Sequence, residues 1–154
     1  MGKRKERGGW GWVLAPRGPI PEEARRVLAD RLARHLARRW SGRVKKLLLA
    51  FHGKHARVAV VEGAPKGKGG LPEVARYVEG DEVPLMLCRL GYLGSVDRWR
   101  FEFFKYSDER FELAMGPSGS FEVTPEQALD AAGGVHLVEW PATRPTRRGR
   151  AKRR

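Results

Sequence analysis

The chain has 154 residues, 41% of them hydrophobic and 32% charged, and carries a net charge of +13 at pH 7. That length suits one domain able to bury a core of its own. No run of about 18 apolar residues is present, which excludes a membrane-spanning helix, and the single cysteine, Cys88, excludes an internal disulfide framework or a multi-cysteine metal site.

The charge is unevenly spread. Residues 1–18 hold Lys3, Arg4, Lys5, Arg7 and Arg17 against Glu6, and residues 141–154 hold Arg144, Arg147, Arg148, Arg150, Lys152, Arg153 and Arg154 with no acid. The span between is nearly neutral but polarised, basic from Ile20 to Arg57 and acidic from Val58 to Trp140. The chain has no Asn, one Gln and one Ile, the usage of a GC-rich genome and compatible with a thermophile. The basic start is followed only by a short apolar stretch broken by glycine and proline, so neither a signal peptide nor a lipid anchor is expected, and the expected location is cytoplasmic.

Residues 1–19 are expected to form a flexible basic arm, with one apolar island, Trp10-Gly11-Trp12-Val13-Leu14, that suits either a strap packed on the body or a partner-binding epitope. Pro21-Glu22-Glu23 opens an amphipathic helix running to about Trp40, with Val27, Leu28, Leu32, Leu36 and Trp40 as its apolar stripe. Its charged arc, which includes Arg34 and Arg38, is either a solvated face or a ridge for phosphates. Residues 43–51 and 56–62 read as a β-hairpin around His52-Gly53-Lys54-His55. Residues 63–83 read as a loop-rich insertion, with one turn of helix over 73–79.

Three strands follow as an antiparallel meander over about 84–93, 98–106 and 110–115, the first turn being Gly94-Ser95-Val96-Asp97. Thr124-Pro125-Glu126-Gln127 carries the signature of a capping box and starts a short helix that Gly133-Gly134 is expected to end. Residues 135–140 suggest an edge strand, and 141–154 a disordered basic tail. The fold class expected is α+β, with residues 20–140 forming a single sheet-based domain.

The stretch WRFEFFKYSDERFELAM, Trp99 to Met115, is either a stacking surface for bases or sheet core. Pairing the strands through a four-residue turn puts Tyr92–Trp99, Leu90–Phe101 and Cys88–Phe103 on one face. The other face takes Gly91–Arg100, Arg89–Glu102, Leu87–Phe104 and Leu85–Tyr106. The next strand then sets Phe104 against Leu113 and Tyr106 against Phe111. Since most of these aromatics gain an apolar partner and Glu102 opposes phosphate, the stretch is assigned mainly to core.

No motif points to catalysis. His52-x-x-His55 lacks further metal ligands; the loop Gly63 to Gly70 has Lys68 but neither the hydroxyl nor the helix of a Walker loop, leaving Lys66 and Lys68 as mobile basic contacts. Gly116 to Ser120 is a connecting loop. Cys88 is expected inside a strand, where a thiol stays inert, and Ser118 and Ser120 lie in no nucleophile-elbow pattern. The seven uncompensated cations at the C-terminus are the clearest functional signal, since nucleic acid is the commonest polyanion able to repay such charge by counterion release.

The order of one basic helix, a hairpin, a variable loop and then Leu87-Cys88-Arg89-Leu90-Gly91-Tyr92 followed by Trp99 and Lys105-Tyr106-Ser107-Asp108-Glu109-Arg110 resembles a group of small uncharacterised bacterial proteins. The resemblance covers about Glu22 to Leu137, implies a compact α+β module, and implies no activity, cofactor or site residue. The leading expectation is a non-enzymatic protein that binds RNA or DNA through phosphates. Its contacts would be Lys3, Arg4, Lys5, Arg7, Arg34, Arg38, Lys45, Lys46, Lys54, Lys66, Lys68, Arg144, Arg147, Arg148, Arg150, Lys152, Arg153 and Arg154, with Trp10 and Trp12 stacking on bases. No metal and no cofactor is expected. The alternative is a protein-interaction subunit of a larger assembly, docked through the Trp10–Leu14 strap and the acidic half; an enzyme acting on nucleic acid ranks third.

Overall fold

The computed structural model describes residues 18–77 and 84–137. Helix α1 (Glu22–Arg39) begins after Pro21 with Glu22 and Glu23 in its first turn and ends with Arg38 and Arg39, so charge complements the helix dipole at both ends. The hairpin β1 (Val44–His52) and β2 (His55–Glu62) closes through Gly53-Lys54, where Gly53 takes the left-handed conformation (φ 60°) that a tight turn asks of glycine. Strand β3 (Glu73–Arg76) is followed by β4 (Leu85–Ser95), β5 (Arg98–Lys105), β6 (Arg110–Leu113), β7 (Glu122–Val123) and helix α2 (Pro125–His136).

These strands make one mixed, seven-stranded sheet in the order β3-β1-β2-β4-β5-β6, with β7 pairing β5 beyond β6 on the same edge. Both helices pack on one face. Leu28, Leu32 and Leu36 of α1 and Ala128, Leu129 and Ala132 of α2 meet Leu47, Leu49, Val58, Val60, Leu90, Trp99 and Phe101, all buried. The other face holds a smaller apolar cluster, Leu48, Ala59 and Val61 under Ala75, Tyr77 and Met86, and no helix among the described residues covers it.

The α+β class, both helix starts and the hairpin agree with the sequence reading, and the capping box at Thr124 is present in full: Gln127 N–H donates to Thr124 Oγ1 (3.1 Å) and Thr124 N–H to Gln127 Oε1 (3.0 Å). The β4–β5 pairs Cys88–Phe103, Leu90–Phe101 and Tyr92–Trp99 are also as expected.

Three expectations are corrected. Residues 73–76 form a strand parallel to β1 rather than a helical turn, because the free edge of β1 offers them hydrogen-bond partners. The hairpin and the meander, whose junction the sequence reading did not specify, join into the one sheet through the pairing of β2 with β4. The β4–β5 turn is Val96-Asp97, reached through a bulge between Tyr92 and Ser95, and Phe104 faces Phe111 while Glu102 faces Leu113, one pair out of the expected register. Finally, Gly133-Gly134 does not end α2, which runs to His136, so residues 135–136 are helix and not edge strand; residues 138–140 lie outside the described ones.

Candidate nucleic-acid interface

Each of the six arginines of α1 is engaged. Arg25 donates to the Ile20 carbonyl (3.0 Å) and lies over the Phe51 ring; Arg26 pairs with Glu23 and Arg34 with Asp30 (2.9 Å) on the exposed surface. Arg31 forks onto Glu126 and also reaches Asp97; Arg38 lies 3.1 Å from His35 Nδ1; and Arg39 pairs with Asp130 (2.5 Å). His35 Nε2 joins the same Asp130 carboxylate (2.7 Å), so this cluster fastens α1 to α2. Exposed pairs such as Arg34–Asp30 contribute little stability, but they offset charge that would otherwise be offered to phosphate.

The uncovered face differs. Strand alternation places Arg57, Arg89 and Glu102 in one row across β2, β4 and β5, with Gly91 and Arg100 in the next. Glu102 is taken up by Arg89. Arg57 and Arg100 are exposed and have no carboxylate partner among the described residues. The guanidinium groups of Arg89 and Arg57 lie over the Phe111 ring, at 5.0 and 5.8 Å from its centroid. Phe111 meets Phe104 edge-on (5.0 Å), and Phe104 meets Tyr106 likewise (4.7 Å). A continuous array of flat groups thus runs from Tyr106 through Phe104 and Phe111 to Arg89 and Arg57. Phe104 and Phe111 sit on this half-exposed face, whereas Trp99 and Phe101 are fully buried; the stretch from Trp99 to Met115 is core on one side and open surface on the other.

Two histidines flank this array, His55 near Arg89 and His136 against the rings. His55, on β2, is held below its ordinary pKa first by burial and then by the Arg89 cation, with Lys54 and His52 acting the same way and Glu102 opposing them. His136, at the end of α2, stacks on Phe103 (4.8 Å, 10° between planes), meets Tyr106 edge-on, and lies 3.1 Å from the Phe104 carbonyl through Nε2. Burial lowers its pKa as well, the bond to Phe104 pulling weakly the other way.

For both groups the unfolded chain takes up the proton first as pH falls, so the folded state loses stability from the ordinary imidazole value near 6.5 downward until the depressed folded values are passed. The midpoint of urea unfolding should therefore fall between pH 7.5 and pH 5.5. His136→Phe, which keeps the stacked ring and removes the proton site, should reduce that fall; an unchanged pH dependence would assign it to other groups.

Of the residues expected from sequence to touch nucleic acid, those described do not converge. Arg34 and Arg38 lie on α1, on the helix side of the sheet. Lys54 sits in the β1–β2 turn, while Lys66 and Lys68 follow β2, at the other end of the hairpin. At about 3.3 Å per residue, the nine residues of β1 separate those ends by roughly 26 Å. Lys45 and Lys46 are half-buried on β1 near the bulge beside Val44. Lys3, Arg4, Lys5, Arg7, Trp10, Trp12 and the seven cations from Arg144 to Arg154 lie outside the described residues. Arg57, Arg100 and Phe111 were not singled out from sequence as contacts; the signal for them was their common face once strand parity is followed across four strands.

The described residues contain no group of three or more His, Cys, Asp or Glu arranged to hold a metal ion and no helix long and apolar enough to cross a membrane. Cys88 is fully buried and its thiol is pushed well above its ordinary pKa by that burial. No family model, no curated protein and no solved structure matches the chain.

Proposed function

We propose that this protein is a non-enzymatic nucleic-acid-binding protein whose affinity comes mainly from phosphate contacts. The observation that carries the reading is where unpaired charge remains. The arginines of α1 are engaged within the fold, while Arg57, over the Phe111 ring, and Arg100 have no carboxylate partner among the described residues. The sequence adds seven cations without an acid after residue 140. Solvated cations at this density gain most by releasing the counterions of a polyanion. The buried thiol and the packed histidines His35 and His136 serve the fold and leave no nucleophile–base pair among them.

Binding of labelled RNA and DNA oligonucleotides by the full chain at 50 and 200 mM salt tests this. With six or more phosphates contacted, affinity should drop by a factor on the order of 1,000 across that range. A flat salt dependence, or no binding at 50 mM, would remove the reading.

A second reading, a protein-interaction subunit, is favoured by the exposed apolar side chains Leu113, Met115 and Phe121 along the β6–β7 edge. It calls for association that survives high salt and is lost in Leu113→Asp or Phe121→Asp.

A further inference from the structure

We infer that the sheet face left uncovered by the described helices is a platform for single-stranded nucleic acid, with bases stacking on the array formed by Phe111, Arg57 and their neighbours. The inference rests on the nucleic-acid reading above and adds to it a location and a kind of strand. Three features point the same way. First, the face carries cations with no ion pair among the described residues: Glu102, the acid in its central row, is taken up by Arg89, and Glu122, which stands opposite Arg100 across β5–β7, is taken up by Arg98, while Arg57 and Arg100 have no carboxylate bonded to them there. Second, the groups beside those charges are flat. The guanidinium carbon of Arg57 lies 5.8 Å from the centre of the Phe111 ring, and Arg57 is exposed, so its planar group is within reach of a base. Third, the array crosses β2, β4, β5 and β6, three strand spacings or about 14 Å, room for more than one unstacked base.

Duplexes do not fit this surface. Their bases are already stacked on one another, so only phosphates would meet the face, and the aromatic rings would gain nothing. A single strand offers both the negative charge that would pair with Arg57 and Arg100 and planar surfaces for Phe104, Phe111 and the guanidinium of Arg57. Stacking of this kind tolerates any base, which agrees with binding that lacks strong sequence preference.

The test uses the full chain, fluorescently labelled oligo(dT) and oligo(U) of twelve nucleotides, and a twelve-base-pair duplex, each at one moderate salt concentration. Arg57→Ala and Arg100→Ala change exposed side chains. Together they should weaken single-strand binding roughly tenfold or more, the range expected for losing base stacking with its charge, while duplex affinity moves less than about twofold. If the variants weaken both ligands equally, or neither, the platform is wrong while nucleic-acid binding stands. If the unaltered chain binds no oligonucleotide, the parent reading fails and the platform with it.

A second measurement does not depend on any variant. Photo-cross-linking of a 4-thiouracil-containing single strand to the unaltered chain should attach it to peptides holding Phe104, Tyr106 or Phe111. Attachment only to peptides from residues 1–18 and 141–154 would overturn the inference.

Discussion

Gly133→Ala should destabilise the protein by about 1–2 kcal/mol, and Gly134→Ala, one residue along the same helix, should leave it unchanged or stabilise it by up to about 0.5 kcal/mol. The contrast comes from Trp40. A Cβ at residue 133 would stand 2.5 Å from Trp40 Cη2 and 2.6 Å from Cζ2, closer than any tolerable contact, whereas one at residue 134 meets nothing within 4 Å. Trp40 is buried and cannot swing away freely: His35 meets it edge-on at 6.3 Å and the Arg39 guanidinium lies over it at 5.0 Å. Alanine brings a helix-propensity gain approaching about 1 kcal/mol at an interior position and less in a last turn, but at residue 133 the overpacking cost of about 1–3 kcal/mol exceeds it. Urea unfolding of both variants at pH 7.5 checks the pair. A stable Gly133→Ala protein would mean that the indole has another place to go.

The same contact shows why parts of the fold were legible in the sequence and parts were not. Glycine pairs commonly stop helices, and that local rule was applied to Gly133-Gly134; the reason for Gly133 is an indole supplied by the end of α1. Where signals are local they sufficed, as with the Thr124–Gln127 capping box and the acidic first turn of α1. The pairing of Tyr92 with Trp99 and Leu90 with Phe101 was readable because alternation over two adjacent strands admits few registers.

Strand β3 was not readable. Glu73-Val74-Ala75-Arg76 has no pattern of its own, and only the open edge of β1 makes it extended. The candidate site was hidden for a related reason. Arg57, Arg89 and Phe111 belong to three strands, so their meeting depends on the β2–β4 pairing that joins hairpin to meander. Counting charges along the face set Glu102 against phosphate, whereas the geometry spends it on Arg89.

Arg31→Ala should cost about 2 kcal/mol of stability and leave nucleic-acid affinity within about twofold of the unaltered protein. Arg31 is the hub of the helix layer: its Nε and Nη2 donate to the two oxygens of Glu126 at 2.9 and 2.6 Å, and its Nη1 donates to the Val96 carbonyl at 3.1 Å and Asp97 at 2.6 Å. It therefore ties α1 to the start of α2 and to the β4–β5 turn at once. The Asp97 arm is well exposed and adds little; the forked contact with Glu126 is the better-shielded one, and the guanidinium holds that carboxyl below its ordinary pKa.

Removing Arg31 leaves Glu126 charged and partly buried, offset by the positive end of α2 and, more weakly, by His35. Arg31→Lys keeps the charge but not the fork, and should recover only part of the loss. The forked pair's contribution is present above the ordinary carboxylate pKa and lost as pH falls through the depressed one, so the difference between Arg31→Ala and the unaltered protein should shrink in acid. The affinity arm decides what the first helix is for. An arginine with four of its five N–H donors engaged inside the fold has little to offer a phosphate, so Arg31→Ala, measured on the same single strand as Arg57→Ala, should change stability where the latter changes binding. Equal loss of affinity in both would return α1 to the interface and make the charged arc of that helix part of the binding surface.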